Sequence, residues 1–319
     1  MKIALIGYSL GGKSSIAALL SGKKQEGFDP LTPTVSVARV TDGRLERIGG
    51  ITKSKKITPA EFTLLDFKGV PREIGFDEKV ILHILDADIL TLVLDAFSET
   101  NRPEDDFISL CLEFIFRDSE RLANLSERRA EDIKHGRRKP NPFEDSIVAR
   151  ALELTQTEKR ISEGSFNSQE LAFLGSVGLL TIKPMVALAN GGSISKALID
   201  ACEKTHVPCV LLNGAGTDPD GVPVFWKSFI DASGLVAFFT TSEKETRGWL
   251  LHKGSTVLDA AGLIHTDMAK GFVRAEVIAY EDLDKYGSFA SCREDGAARL
   301  EGREAIVKDG DIINIRFSR

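Results

Sequence analysis

The feature that most constrains this chain lies at its start. Ile3-Ala4-Leu5-Ile6 is a continuous apolar run, and it stops at Gly7-Tyr8-Ser9-Leu10-Gly11-Gly12-Lys13-Ser14. A short run without alternation reads as a strand buried on both faces of a parallel sheet. The eight residues after it fit GxxxxGK[ST], and Ile16, Leu19 and Leu20 then mark one face of a helix. A glycine-rich loop between a buried strand and a helix lets backbone N–H groups converge on phosphate oxygens without Cβ clashes. The helix N-terminus adds its dipole. Lys13 supplies a point charge for β- and γ-phosphates, and Ser14 a hydroxyl for Mg²⁺.

More strands of the same kind follow. Val35–Val40 alternates and leads to a turn at Asp42-Gly43, Glu61–Asp66 ends in a carboxylate, and Ile89–Leu94, Pro184–Ala189 and Cys209–Leu212 are apolar and continuous. Lys79–Leu85 reads as a helix between two of them. Strands separated by helices predict a doubly wound α/β domain of the P-loop NTPase type, spanning 1–104 and 176–245.

Residues 105–175 have a different character. Phe107, Leu110, Cys111, Phe114, Ile115, Leu122 and Leu125 make one helical stripe, a break follows at Gly136–Pro142, and Ile147, Ala151 and Leu154 make a second. This predicts an inserted helical hairpin. Its tip carries Arg128, Arg129, Lys134, His135, Arg137, Arg138 and Lys139. That patch is either a solvated helix end, where cations oppose the helix dipole, or a contact for RNA or another acidic partner. From Thr246 the pattern changes again. Strands are expected at Trp249–Leu251, Val273–Ala279, Arg303–Val307 and Asp311–Phe317, with a helix at Ser255–Ala261 and a turn at Lys308–Gly310, which together make a small β-grasp domain over 246–319.

A chain of 319 residues suits two or three such domains, and 42% hydrophobic with 28% charged residues fits a folded globular core. The net charge of -6 excludes a general nucleic-acid coat, so any RNA contact must come from a local patch. Cys111, Cys202, Cys209 and Cys292 form no CxxC pair and no His cluster accompanies them, so they read as reduced thiols, not zinc ligands. Met1–Gly7 is too short for a signal-peptide core, and no apolar run is long enough to span a bilayer. A cytoplasmic protein is expected.

Two further motifs accompany the first. Asp66-Phe67-Lys68-Gly69 fits DxxG at a strand end, where Asp66 can hold Mg²⁺ through water and the Gly69 N–H can sense a γ-phosphate. The next residue, Val70, has no side chain able to orient a water. Asn190-Gly191-Gly192-Ser193 follows a buried strand where a base-reading loop belongs, although an ordinary glycine turn has the same composition. Ser193 stands where a guanine-reading loop has its aspartate, and a hydroxyl cannot replace a bidentate carboxylate.

On these residues the chain resembles the YchF/Obg-like ATPases, an Obg-related group of P-loop NTPases. The likeness is densest near the C-terminus, in Phe238-Phe239-Thr240, Trp249, Lys253-Gly254, Ala260-Ala261-Gly262, Ile264-His265-Thr266-Asp267, Gly271–Glu276 and Asp309-Gly310-Asp311, which match the family's TGS domain. Lys183-Pro184 and Ala189-Asn190 extend it towards the base loop. The resemblance implies hydrolysis of ATP in preference to GTP, Mg²⁺ as cofactor, and association with ribosomes. It also implies that Gly7 and Leu10 to Ser15 wrap the phosphates and that Asn190 and Gly191 lie against the base. By the same resemblance a threonine, Thr32 or Thr34, closes the first switch on the metal held by Ser14 and Asp66, and Lys13, Asp66 and Gly69 carry the chemistry. The departures are Leu10 where the family has asparagine, Ser193 where its base loop has glutamate, Pro30 near the switch threonine, and a second switch reduced to Val70–Gly75. They leave two expectations: a slow Mg²⁺-dependent ATPase or GTPase, or a nucleotide-gated or nucleotide-free adaptor without turnover.

Overall fold

A computed structural model of the chain describes residues 1–23, 31–71, 75–215 and 221–318. In chain order its strands are β1 (Lys2–Ile6), β2 (Thr34–Arg39), β3 (Ile57–Thr58), β4 (Glu61–Asp66), β5 (Ile89–Asp95) and β6 (Met185–Asn190). They continue with β7 (Cys209–Leu212), β8 (Leu235–Thr241), β9 (Thr246–His252), β10 (Phe272–Ala279), β11 (Arg299–Glu301) and β12 (Asp311–Phe317). The chain divides into two compact units, one of residues 1–38 and 63–219, the other of 39–62 and 220–319.

The first unit is built on a sheet of order β2-β4-β1-β5-β6-β7. β1 pairs in parallel with both β4 and β5, and β5–β6 and β6–β7 are also parallel. The apolar runs are buried on both faces, as expected for strands covered by helices above and below. Ala4, Ile6, Leu90, Leu92, Ala187 and Ala189 share one core with Val80, Ile81 and Ile84 of the helix Glu78–Leu85. Phe107, Leu110, Cys111 and Phe114, from the first turns of the helix Pro103–Lys134, complete it.

That helix continues past the sheet into a second core. Leu122 packs with Ile147, Val148 and Ala151 of the helix Pro142–Gln156 and with Leu174 of the helix Ser168–Val177. Asp118 interrupts its apolar stripe between the two cores. The carboxylate is buried and accepts from the N–H groups of Leu180 (2.9 Å) and Thr181 (2.7 Å) and from the Thr181 hydroxyl (2.7 Å). Burial still holds its carboxyl above the usual range, against the pull of these donors.

In the second unit the sheet order is β11-β10-β12-β8-β9-β3. β12 and β8 form a central parallel pair, β9 flanks β8 antiparallel, and β10 and β11 follow antiparallel beyond β12, which is a β-grasp. The strand period of two sends adjacent residues to opposite faces. Phe238, Val277 and Ile313 meet the helix Val257–Ile264 on one side, while Phe239, Ile278 and Ile312 meet Leu45 and Ile48 on the other.

Four expectations differ from what is seen. Residues 39–62 and 220–245, expected in the first domain, lie in the second unit, and β8 belongs to its sheet. Asp42-Gly43 is not merely a turn: Asp42 caps the helix Gly43–Thr52 by accepting from the Arg44 N–H at 3.0 Å. Residues 303–307 are not a strand. Their carbonyls at Arg303 and Ala305 accept from Leu258 and Val257 at the start of the helix Val257–Ile264, leaving one bridge between Ile306 and Thr256. The segment is thus spent satisfying the free N–H groups of a helix end. Finally, three cations of the hairpin tip are already paired within the hairpin. Arg129 is buried between Glu144 (2.6 Å) and Asp145 (2.7 Å), Arg138 also pairs with Glu144, and Arg137 pairs with Asp132 at 2.8 Å. No helix among the described residues is long and apolar enough to cross a membrane.

Candidate functional site

The loops that carry the motifs all leave the carboxyl ends of the parallel strands. In an open α/β sheet this is the edge where ligands bind. β1 feeds residues 7–12 into the helix Lys13–Ser21; β4 feeds Asp66–Val70; β5, β6 and β7 feed the turns after Asp95, Asn190 and Leu212.

Asn190 holds three of these loops together. Its side chain is only 3% exposed. The Nδ2 group donates to the Gly11 carbonyl at 3.0 Å, and Oδ1 accepts from the Gly214 N–H at 2.9 Å. The amide is thus a clasp between the P-loop and the turn after β7. Gly12 is required beside it: its φ is +80°, and a Cβ there would stand 2.0 Å from Asn190 Nδ2. Gly191 packs its backbone against Ala96, and Ser193 is exposed.

Lys13 and Asp66 form the electrostatic centre. Lys13 is 5% exposed, and Nζ donates to the Tyr8 carbonyl at 2.7 Å. Burial lowers its pKa to about 8, opposed by the nearby Asp66 charge. Asp66 is 1% exposed, and neither of its oxygens has a partner at hydrogen-bond geometry among the described residues. Burial raises its pKa, although the neighbouring Ser14 hydroxyl and the Lys13 ammonium pull it down. A buried carboxylate without a donor costs about 1–3 kcal/mol. Such a group at a loop junction is a candidate for ligand contact. Ser14 and Ser15 are exposed at the first turn of the helix.

Leu10 is 91% exposed and sits at φ +69°, a left-handed conformation that leucine adopts at a cost. Its side chain points into water and holds nothing. Thr34 opens β2, which β4 separates from β1; Thr32 is exposed. Pro30 and residues 72–74 of the second switch lie outside the described residues.

Two site residues carry no motif. Asp95 caps the turn after β5, accepting from the N–H groups of Phe97 (3.1 Å) and Ser98 (3.0 Å). That turn holds Phe97 beside Gly12, 55% exposed, with a ring atom 3.6 Å from where a Gly12 Cβ would stand. The only sequence signal for it is an aromatic residue just past a buried apolar run. Gly214, the other end of the Asn190 clasp, is marked only by the Asn213-Gly214 pair after β7.

A parallel sheet whose first strand runs through GxxxxGKS into a helix, with a DxxG aspartate on the neighbouring strand, defines a P-loop NTPase fold. The comparisons sharpen this. Residues 235–318 match the family model YchF-GTPase_C, described as a protein of unknown function (DUF933). Ribosome-binding ATPase YchF of Bacillus subtilis (strain 168) is 29% identical, with 98% of each chain covered. The protein of the same name from Haemophilus influenzae is 26% identical over 99% of each. The solved structure of the Schizosaccharomyces pombe YchF GTPase superposes with a TM-score of 0.80 at 22% identity, covering 99% of this chain and 97% of that one. Over nearly its whole length the chain is thus similar to the YchF proteins, in sequence and in fold.

Proposed function

We propose that this chain binds Mg²⁺-ATP, or GTP, at residues 7–15 and hydrolyses it slowly, in association with ribosomes. The observation that carries the reading is the buried pair of Lys13 and Asp66 at the head of the first helix, with the Ser14 hydroxyl beside the Asp66 carboxylate. The names of the curated relatives support the ATP and the ribosome. Gly7, Leu10, Gly11, Gly12, Lys13, Ser14 and Ser15 would surround the phosphates, with Asn190 and Gly191 bordering the base.

Mg²⁺ fits the residues present. Ser14 offers an exposed hydroxyl and Asp66 a carboxylate free to accept from a metal-bound water, with Thr34 the first-switch candidate. When bound, the ion supplies charge neutralisation to the phosphate oxygens. The chain's own contribution is positional. Asn190 fixes the carbonyl of Gly11 and so the course of the loop. Tyr8 orients the Lys13 ammonium, which can neutralise developing charge. Gly69 can aim its N–H at the terminal phosphate, and Phe97 gives the base an aromatic face. Val70 supplies no side-chain base, which makes turnover depend on positioning and charge neutralisation.

The β-grasp unit, as a TGS domain, and the hairpin tip would face an RNA-containing partner, in a cytoplasmic setting. The tip's free cations for this are Arg128, Lys134 and Lys139, which make no ion pair among the described residues. A second reading, an adaptor without turnover, is favoured by Val70 and by Ser193 at the base loop.

Phosphate release from Mg²⁺-ATP by wild type and by Lys13→Ala separates the two readings. Release that disappears in the variant supports the enzyme; equal background in both refutes it. A melting shift with nucleotide then tests binding, because a ligand at a hundred times its Kd adds about 2.7 kcal/mol.

A further inference from the structure

This inference rests on the nucleotide-binding reading above and concerns which nucleotide the site takes. Beyond Asp66 the chain does not swing clear of the P-loop. Val70 forms a parallel bridge with Tyr8. The Ser9 N–H donates to the Val70 carbonyl at 3.2 Å, and the Val70 N–H donates to the Gly7 carbonyl at 3.4 Å. The Ser9 hydroxyl donates to the Gly69 carbonyl at 2.9 Å. Strand-like pairing between β1 and β4 thus runs on past both strands and ties Gly69 and Val70 to the loop.

Gly69 is wedged by this pairing. A Cβ on it would stand 2.3 Å from Ser9 Cα, 2.6 Å from Ser9 N and 3.0 Å from Lys13 Nζ. No layer of atoms separates Gly69 from the loop or from the ammonium. The P-loop lysine is the group that meets the β- and γ-phosphates. The terminal phosphoryl of a triphosphate has to stand between that lysine and the DxxG glycine, where even a methyl group on the glycine would already meet the ammonium at 3.0 Å. The α- and β-phosphates, which lie against the N–H groups of residues 11–15, make no demand on this space.

We propose that residues 69–70, held down by Ser9, form a latch across the γ-phosphate position. The site takes a nucleoside diphosphate as it stands. It takes a triphosphate only after the three hydrogen bonds between residues 7–9 and 69–70 open. Ser9 is then a specificity-determining residue: its hydroxyl adds a side-chain bond to the two backbone bonds of the latch. Val70 contributes through its backbone.

Isothermal titration in Mg²⁺ with ADP and with a non-hydrolysable ATP analogue, on the full chain and on Ser9→Ala and Val70→Pro, tests the latch. Wild type binds the diphosphate at least roughly tenfold tighter, from the loss of two or three net hydrogen bonds. Ser9→Ala narrows that preference by roughly fivefold, the worth of one such bond, through tighter triphosphate binding. Val70→Pro, lacking the N–H that reaches Gly7, narrows it too. Hydrogen exchange gives an independent readout without substitution: the Ser9 and Val70 amides are protected in the free protein and with ADP, and exchange faster with the triphosphate analogue. A wild-type preference near unity, with both amides equally protected by either nucleotide, overturns the latch and leaves nucleotide binding standing. Equal weakening of both nucleotides by Ser9→Ala overturns the role of its hydroxyl. Failure of either nucleotide to bind wild type sinks the function proposed above, and the latch with it.

Discussion

Replacing Asn190 should unfasten the first unit in a way that can be calculated. Truncation by Asn190→Ala removes two hydrogen bonds, Nδ2 to the Gly11 carbonyl and Oδ1 from the Gly214 N–H. Gly11 is buried, so its carbonyl is left without a partner, at a cost of about 1–3 kcal/mol; Gly214 is only half-buried, and water can replace its bond for about 0.5 kcal/mol. The sum is about 2 kcal/mol. For a unit of this size that corresponds to a fall in Tm of roughly 4–8 °C. Asn190→Asp keeps the shape and isolates the chemistry. Its ionised carboxylate still accepts from Gly214 but faces the Gly11 carbonyl with no proton to give. Its folded-state pKa must therefore be raised. The variant is then most stable at low pH, where the acid form donates to Gly11, and loses stability as pH rises from the ordinary aspartate range through that raised value. Thermal melts of the two variants and wild type between pH 4 and about pH 8 read both effects. A loss under about 0.5 kcal/mol for Asn190→Ala, or no pH dependence specific to Asn190→Asp, would show that the clasp does not hold the loops.

Further outcomes follow from other buried charges. Lys13 has a folded pKa of about 8 against an ordinary value of 10.5, so above pH 8 the unfolded chain holds a proton that the folded chain has shed. Its contribution to stability therefore rises with pH across that window, and chemical unfolding of wild type against Lys13→Met should show the difference moving in favour of wild type. Asp118→Ala should cost about 3 kcal/mol, because three donors in the neck of the long helix lose their acceptor; urea unfolding checks it, and a cost below about 1 kcal/mol contradicts it. At the hairpin tip, replacing Arg128, Lys134 and Lys139 by alanine should weaken ribosome co-sedimentation more than replacing Arg137 and Arg138, whose charges are already paired. Equal effects would show that pairing does not matter there.

The site's skeleton was legible because it rests on local pattern. Ile3–Ile6 and the glycines after it specify a buried strand and a loop over a helix, and the runs at β5 and β6 have no polar residue facing solvent to blur them. What stayed hidden depends on long-range partners. The helix Gly43–Thr52 carries Gly49 and Gly50, poor helix formers, and is held by burial of Leu45 and Ile48 on the β-grasp sheet. Residues 303–307 have strand composition but serve a helix end. Arg129 sits in a basic run, yet two carboxylates from the facing helix bury it. Asn190 falls in a recognisable loop, while its attachment to Gly11 and Gly214 appears only once three distant loops are brought to one sheet edge.

The proposed function requires the P-loop to hold a nucleotide phosphate through Lys13. Isothermal titration of Mg²⁺-ADP into wild type and into Lys13→Ala tests it most directly. Saturable one-to-one binding by wild type, lost or weakened by two or more orders of magnitude in the variant, is the predicted result. The same affinity in both proteins, or no heat in either, would contradict the account.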